Sequence, residues 1–157
     1  MFQGTLESAP SGGGAQGQMI LDGVLNLKNT CGRFRDLIND NREIFKRYFK
    51  TDLFPGSLNV RVDTPADLQQ NLDKGVYPPA FIVPREELVG MLDYIGDGQA
   101  WPCRLSSTNF ENPMDCWIFR RIGSRVPQGI IELVAIHELV KPFGLQDGDP
   151  VTLEAFG

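Results

Sequence analysis

The sequence predicts a single, small, mainly β domain, and three observations lead to this fold class. The 157 residues are about the length of one domain. Seventeen glycines and eleven prolines indicate many turns and therefore short elements. The expected strands do not alternate regularly with helices, which argues against a doubly wound sheet. A small closed barrel or a sandwich is favoured, because closure removes exposed strand edges.

The folded body is expected to begin with a strand at Met19–Leu27. Residues 1–18 are rich in Gly, Ser, Ala and Gln, which is typical of a flexible arm, so the single domain is assigned to 19–157. Gly23 lies inside this strand, and an interior glycine indicates a bend or a bulge. A turn is expected over 28–32.

The next two elements are a helix and a strand with clear periodicities. Residues 41–50 are predicted to be a helix, with Asp40 as its N-cap. Four apolar side chains share one face of this helix: Ile44, Phe45, Tyr48 and Phe49. Residues 57–62 alternate polar and apolar side chains, which predicts a strand with one buried and one polar face.

The rest of the chain indicates further short strands with one or two peripheral helices in all. Pro84–Tyr94 is a candidate helix that opens with proline in its first turn. Leu139–Phe143 is expected to be a short helix or a turn, and Asp147-Gly148 is a strong turn signal. Strands are predicted at 101–105, 115–120, 129–135 and 151–156, and 80–83 is a short apolar run.

Charge and composition argue against several classes of protein. The formal net charge of −5 and the pI of about 4.8 disfavour nucleic acid as a partner, including for a DNA-binding barrel. Three cysteines without a CxxC pair, and one histidine, argue against a structural zinc site. No apolar run approaches the roughly 18 residues that span a bilayer, and no secretory signal pattern is present. A cytoplasmic protein without membrane partners is therefore expected.

The polar face of the strand at 57–62 carries a candidate metal site. Ser57 and Asn59 are two residues apart and project to the same side of a strand. A hydroxyl and an amide carbonyl are hard, neutral oxygen ligands, which suit Mg²⁺ that carries nucleotide phosphates. The alternative is a pair of solvated polar residues on an exposed face.

Two blocks of the chain resemble the CTP-dependent riboflavin kinases, whose fold is a small cradle-loop (RIFT-related) β-barrel. Pro55-Gly56-Ser57-Leu58-Asn59 is similar to the family's P-x-G-T-L-N motif. Gly32-Arg33-Phe34 is similar to its G-R-[YF] triplet and stands at the family's distance from that motif. Near the C-terminus, Ile131-Glu132-Leu133 and Gln146-Asp147-Gly148-Asp149 resemble a family strand and its K-D-G-D turn. The resemblance covers about 21–59 and 102–154.

This resemblance implies a set of site residues. Ser57 and Asn59 would bind Mg²⁺, Ser124 and Glu132 would contact the flavin, and Glu132 would also be catalytic. The nucleotide-binding residues that it implies are Lys28, Asn29, Thr30, Cys31, Gly32, Arg33, His137, Glu138, Leu139 and Val140.

The resemblance also implies an activity, with one rival that the residues leave open. The implied reaction is Mg²⁺-dependent transfer of the γ-phosphate of a nucleoside triphosphate, CTP, to riboflavin, which gives FMN. The rival is a barrel that binds a small ligand or a nucleotide and has lost kinase activity. The loop at 28–33 favours the rival, because of the family's G-x-G-E-G-R run it keeps only Gly32 and Arg33. Glycines in such a run let backbone N–H groups approach phosphates closely.

Flat aromatic side chains are candidates for a flavin slot, since an isoalloxazine ring needs an apolar cleft. Trp101, Trp117 and Phe119 are the side chains considered. Packing in the hydrophobic core is the favoured alternative for each of them.

Overall fold

The computed structural model describes residues 19–27, 33–62, 72, 76–90, 95–124 and 129–155. The described elements are, in chain order, β1 (Met19–Leu25), α1 (Arg33–Asp40), α2 (Arg42–Phe49), β2 (Leu58–Val62), β3 (Phe81–Val83), β4 (Gly98–Ser106), β5 (Met114–Arg121), β6 (Ile130–Val134), α3 (Val140–Phe143) and β7 (Pro150–Ala155). The predicted strands are all present, with small shifts at their ends. The arm predicted at 1–18 lies outside the described residues.

Six of the described strands close into an antiparallel barrel. Their order around the wall is β4-β5-β6-β2-β1-β7, and β7 pairs again with β4. One edge of β4 is shared, because β3 pairs with its first residues (Phe81↔Ala100) and β7 with its last (Cys103↔Ala155). The mainly β barrel fold predicted from the sequence is confirmed.

The barrel interior is filled by the inward-facing residues of the six strands, which alternate with outward-facing ones as the pleat requires. In β2, Leu58, Val60 and Val62 point inward and are buried. Their neighbours in β6, Ile131 and Leu133, point inward as well. The intervening side chains of both strands therefore lie on the outer face.

A second apolar cluster covers part of this outer face. Helix α1 contributes Phe34, Leu37 and Ile38, at the i, i+3, i+4 spacing of one helical face. The predicted apolar face of α2 is confirmed, with Phe45 and Phe49 buried against the same cluster. Strand residues Ala100, Phe119 and Val134 form its floor. The described helices include none that is long and apolar enough to cross a membrane.

The start of the second helix differs from the prediction. Asp40 is the last residue of α1, so it is not the N-cap of α2. Asn41 stands at that position and makes no side-chain cap bond. Its buried side chain instead donates to the carbonyl of Leu37 (2.8 Å) and to that of Val89 (3.0 Å), and accepts from the N–H of Val89 (2.8 Å).

The candidate helix at Pro84–Tyr94 is wrong over its described part. Only Arg85–Glu87 form a 3₁₀ turn, and Leu88 is already extended, with φ −103° and ψ 140°. Both the N–H and the carbonyl of Val89 are hydrogen-bonded to the side chain of Asn41. These two backbone groups are therefore not available for the hydrogen bonds of a continuing helix. A tertiary contact therefore overrides the local pattern here.

Gly23 is required by close packing between strands, and the predicted bulge is wrong. The pairing of β1 with β7 runs without interruption from Met19↔Ala155 to Val24↔Pro150. A Cβ atom on Gly23 would lie 2.4 Å from the backbone carbonyl oxygen of Arg61 on β2. Backbone cannot move aside as a flexible side chain can, so only glycine fits.

Gly23→Ala is expected to destabilise the fold by about 1–3 kcal/mol, because the added methyl forces β1 and β2 apart. Urea unfolding of the two proteins measures this difference. Gly96→Ala is the matched control, since its Cβ would meet Ile122 at 3.4 Å, an ordinary contact. Equal unfolding midpoints for Gly23→Ala and the control would contradict the packing argument.

Candidate active site

Asn59 and Glu132 are direct neighbours on the outer face of the barrel. Strand β2 pairs with β6 in the register Asn59↔Glu132, flanked by the inward pairs Leu58↔Leu133 and Val60↔Ile131. Opposed residues on one face of an antiparallel pair have Cβ atoms about 5 Å apart. The structure therefore places the predicted metal ligand Asn59 next to the predicted catalytic carboxylate.

The side-chain carbonyl of Asn59 is buried, and none of the residues that the structure describes donates a hydrogen bond to it. Leaving such an acceptor unsatisfied costs about 1–3 kcal/mol, so native proteins keep few of them. An amide oxygen of this kind is a hard ligand that fits Mg²⁺. This buried oxygen without a donor is the observation that favours a bound metal ion or ligand group beside Asn59.

Ser57 lies two residues away and lines a surface pocket that is open to solvent. All four of the later nucleotide-binding residues predicted from the resemblance line the same pocket: His137, Glu138, Leu139 and Val140. Phe54, Leu133 and Ala135 add apolar surface to it. The structure thus brings Ser57 together with the segment 137–140.

Glu132 is half-buried, which does not fit a solvated charge at a strand edge. Burial raises the pKa of Glu132 above its ordinary value, while the charges of Arg121 and then Arg120 lower it. A carboxyl group in such surroundings has a higher proton affinity than an exposed glutamate. A cleft of about 210 Å³ adjoins it, lined also by Phe119, Arg120 and Ile130.

Ser124 lies at the other end of β6 from the pocket. It follows β5, and its N–H donates to the carbonyl of Arg121 (3.0 Å) in the turn that closes the strand. Strand β6 begins at Ile130 and ends at Val134, so Glu132 is its central residue. Glu132 therefore stands between the loop predicted to contact the flavin and the pocket predicted to hold the nucleotide.

The predicted nucleotide loop falls mostly outside the described residues, which omit 28–32 and the side chain of Arg33. Its two flanks are described and both adjoin the site. On one side the N–H of Asn26 donates to the backbone carbonyl of Asn59 (2.9 Å). On the other, the ring of Phe34 meets the ring of Phe119 edge-on, with centroids 5.6 Å apart.

The three aromatic candidates for a flavin slot pack within the protein. Trp101 is fully buried in the barrel, and its indole N–H donates to the carbonyl of Tyr77 (2.7 Å). Phe119 is buried under the helices, and Trp117 meets Phe49 edge-on at 5.2 Å. These three side chains thus pack against other parts of the protein, which is the alternative favoured by the sequence analysis.

Comparison with known proteins places the chain in a family. The profile of the CTP-dependent riboflavin kinase domain, described as a domain of unknown function (DUF120), matches residues 37–155. The chain belongs to this family. The match begins after the loop at 28–33 and includes the predicted metal ligands and the other predicted site residues: Ser57, Asn59, Ser124, Glu132 and 137–140.

A curated relative carries the name of an activity. The riboflavin kinase of Methanospirillum hungatei JF-1 is 28% identical over 137 residues, which are 87% of this chain and 57% of that protein. The chain thus spans little more than half the length of this curated relative.

Some features of the site of this riboflavin kinase-family chain are not predictable from sequence. The pairing of Asn59 with Glu132 joins distant parts of the chain, and no local pattern signals it. Phe54, which is 38% exposed at the pocket edge, carries one weak signal: a large apolar side chain directly before the turn Pro55-Gly56. Arg121 carries no sequence signal for a role in the site, and only the fold brings its charge close enough to act on Glu132.

Proposed function

We propose that this chain is a riboflavin kinase-like phosphotransferase that moves the γ-phosphate of a nucleoside triphosphate to riboflavin. The observation that carries the proposal is the Asn59↔Glu132 pair at the centre of one strand pair, with the pocket at one end of β6 and Ser124 at the other. Phosphoryl transfer needs donor and acceptor in line, with charge stabilisation between them. An arrangement of donor, carboxylate and acceptor along one strand meets that need.

The donor side is the surface pocket beside Ser57. Its apolar lining suits a nucleobase, and Glu138 supplies a polar group that can fix the orientation of the base. Ser57 and Asn59 would hold Mg²⁺, which neutralises charge on the phosphates when it is bound. CTP is the proposed donor because the family takes its name from that nucleotide.

The acceptor side is the end of β6 near Ser124. The terminal ribityl hydroxyl oxygen of riboflavin forms a bond to the γ-phosphorus, and the bond from that phosphorus to the β–γ bridging oxygen breaks. The nucleoside diphosphate leaves with the bridging oxygen, and the hydroxyl proton passes to Glu132. Burial raises the pKa of Glu132 and so makes its carboxylate a better proton acceptor.

The second candidate is a barrel that binds nucleotide or flavin without catalysis. One observation favours it: the loop Lys28-Asn29-Thr30-Cys31 has none of the glycines that allow backbone cradling of phosphates. Lys28 and Arg33 offer positive charge in their place. Binding without turnover separates this candidate from the kinase.

The test is an assay for FMN with riboflavin, Mg²⁺ and either CTP or ATP. We expect FMN with CTP and none when Mg²⁺ is removed by a chelator. FMN only with ATP keeps the acceptor and changes the donor. Folded protein that binds CTP or riboflavin but yields no FMN supports the non-catalytic candidate instead.

A further inference from the structure

We propose that Arg121 is a phosphate-binding residue of this site, an inference that rests on the proposed function. Arg121 ends β5 on the outer face of the barrel, on the same side as Phe119. Its carbonyl holds the turn that carries Ser124. It therefore lies at the acceptor end of the β5–β6 strand pair, where the transferred phosphate must arrive.

A rigid aromatic platform holds the Arg121 guanidinium in place. The guanidinium carbon lies 5.3 Å from the centroid of the Phe34 ring. Phe34 rests on Phe119, and Phe119 packs so closely on Gly98 that a Cβ there would lie 2.4 Å from the ring. Gly98 is the direct cross-strand partner of Arg121. An arginine fixed in this way loses little further freedom when it binds a ligand.

One donor of the guanidinium is unused among the described residues. The Nε atom of Arg121 is buried, and no group in that part of the structure accepts from it. Its aromatic contact satisfies charge but accepts no N–H hydrogen bond in the ordinary sense. A buried donor of a cationic group without an acceptor is costly, and an anionic oxygen is the acceptor that relieves it best.

The Glu132 carboxylate does not act as this acceptor. The charge of Arg121 acts on Glu132, yet the two side chains form no ion pair in the described part of the chain. Opposite charges that influence each other without an ion pair can both bind a third group. In phosphoryl transfer that group is the phosphate, with the carboxylate on the acceptor hydroxyl and the arginine on the phosphate oxygens.

The phosphate can belong to the donor nucleotide or to the FMN product, and paired ligands separate these sources. Calorimetry with the full chain and Mg²⁺ measures affinity for CTP against cytidine, and for FMN against riboflavin. Arg121→Gln is expected to weaken the phosphorylated member of a pair about 10- to 100-fold and to leave the unphosphorylated member unchanged. Arg121→Lys is expected to lose less, because it keeps the charge and loses the planar fork.

Arg104→Gln is the matched control, because it removes the same charge from an exposed arginine that pairs with Asp115 at 3.4 Å. The control should change neither the affinity for CTP nor that for FMN. If Arg121→Gln loses affinity for CTP alone, Arg121 binds the donor phosphate. If it loses affinity for FMN alone, Arg121 binds the product phosphate, and a loss for both means that it binds the group being transferred. A purely structural role of Arg121 would instead weaken cytidine and riboflavin together with their phosphates.

The outcomes also separate this inference from the kinase proposal. A selective loss of phosphorylated ligands in Arg121→Gln supports the inference even when the wild-type protein makes no FMN. Active wild-type protein whose Arg121→Gln variant binds CTP and FMN normally overturns the inference and leaves the kinase standing. Wild-type protein that binds CTP no better than cytidine, and FMN no better than riboflavin, overturns it as well.

Discussion

Asn59→Ala is expected to abolish FMN formation and Mg²⁺-dependent nucleotide binding while the barrel stays folded. Loss of residues that merely orient a metal ligand often costs 10- to 100-fold, so loss of a proposed ligand should cost at least about 100-fold. Stability should not fall, because the side-chain carbonyl of Asn59 loses no hydrogen bond to the described part of the protein. Isothermal titration with CTP, with and without Mg²⁺, and the melting temperature measure the two effects.

Asn39→Ala is the control for this substitution. Asn39 is exposed on α1, and its side-chain oxygen accepts from Arg42 (3.0 Å). Removing it should leave nucleotide binding unchanged. Unchanged CTP affinity in Asn59→Ala would remove the metal site from the account, and a large drop in melting temperature would assign Asn59 a structural role.

Glu132→Gln is expected to lower kcat by about 10²- to 10⁴-fold while the affinity for nucleotide changes little. The amide keeps the size of the side chain but cannot accept the hydroxyl proton. Steady-state kinetics with riboflavin as the varied substrate, together with CTP titration, separate turnover from binding. Glu111→Gln, at an exposed position, is the control. Equal losses in turnover and binding would contradict a catalytic role.

The same variant also has a predicted effect on folding stability. Because the pKa of Glu132 is raised in the folded protein, the folded state keeps a proton that the unfolded state releases. The stabilisation is complete below the ordinary glutamate pKa and is lost as the pH rises through the raised one. Glu132→Gln should therefore be more stable than wild type at about pH 7.5 and similar near pH 4, measured by urea unfolding without ligand.

A reversed pattern, with Glu132→Gln less stable at neutral pH, would mean that Arg121 and Arg120 outweigh the burial of the carboxylate. The measurement thus tests which of the two influences on the pKa is larger.

Local patterns in the sequence predict much of the barrel and individual site residues. The alternation of 57–62 predicts β2, and the polar face that it assigns to Asn59 is the face observed. The motif resemblance then supplies Glu132 and the segment 137–140, which the structure places beside it. The strand prediction is confirmed because it depends on residues close together in the chain, and the roles of the site residues stay predictions.

The errors arise where distant contacts decide the structure. Asn41 binds the backbone of Val89 and ends a helical pattern at 84–94, and the close approach of the Arg61 carbonyl explains Gly23 without a bulge. The meeting of Asn59 with Glu132 and the platform beneath Arg121 are likewise products of strand register. No periodicity within one element encodes which strand lies beside it.

The most direct test of the central claim follows labelled phosphate from CTP carrying ³²P at the γ-position into riboflavin, with wild-type protein and Asn59→Ala side by side. We expect labelled FMN from the wild-type protein and none above background from Asn59→Ala. Labelled FMN at equal rates from both would contradict a site built on Asn59 and Glu132, and its absence from both would contradict the kinase itself.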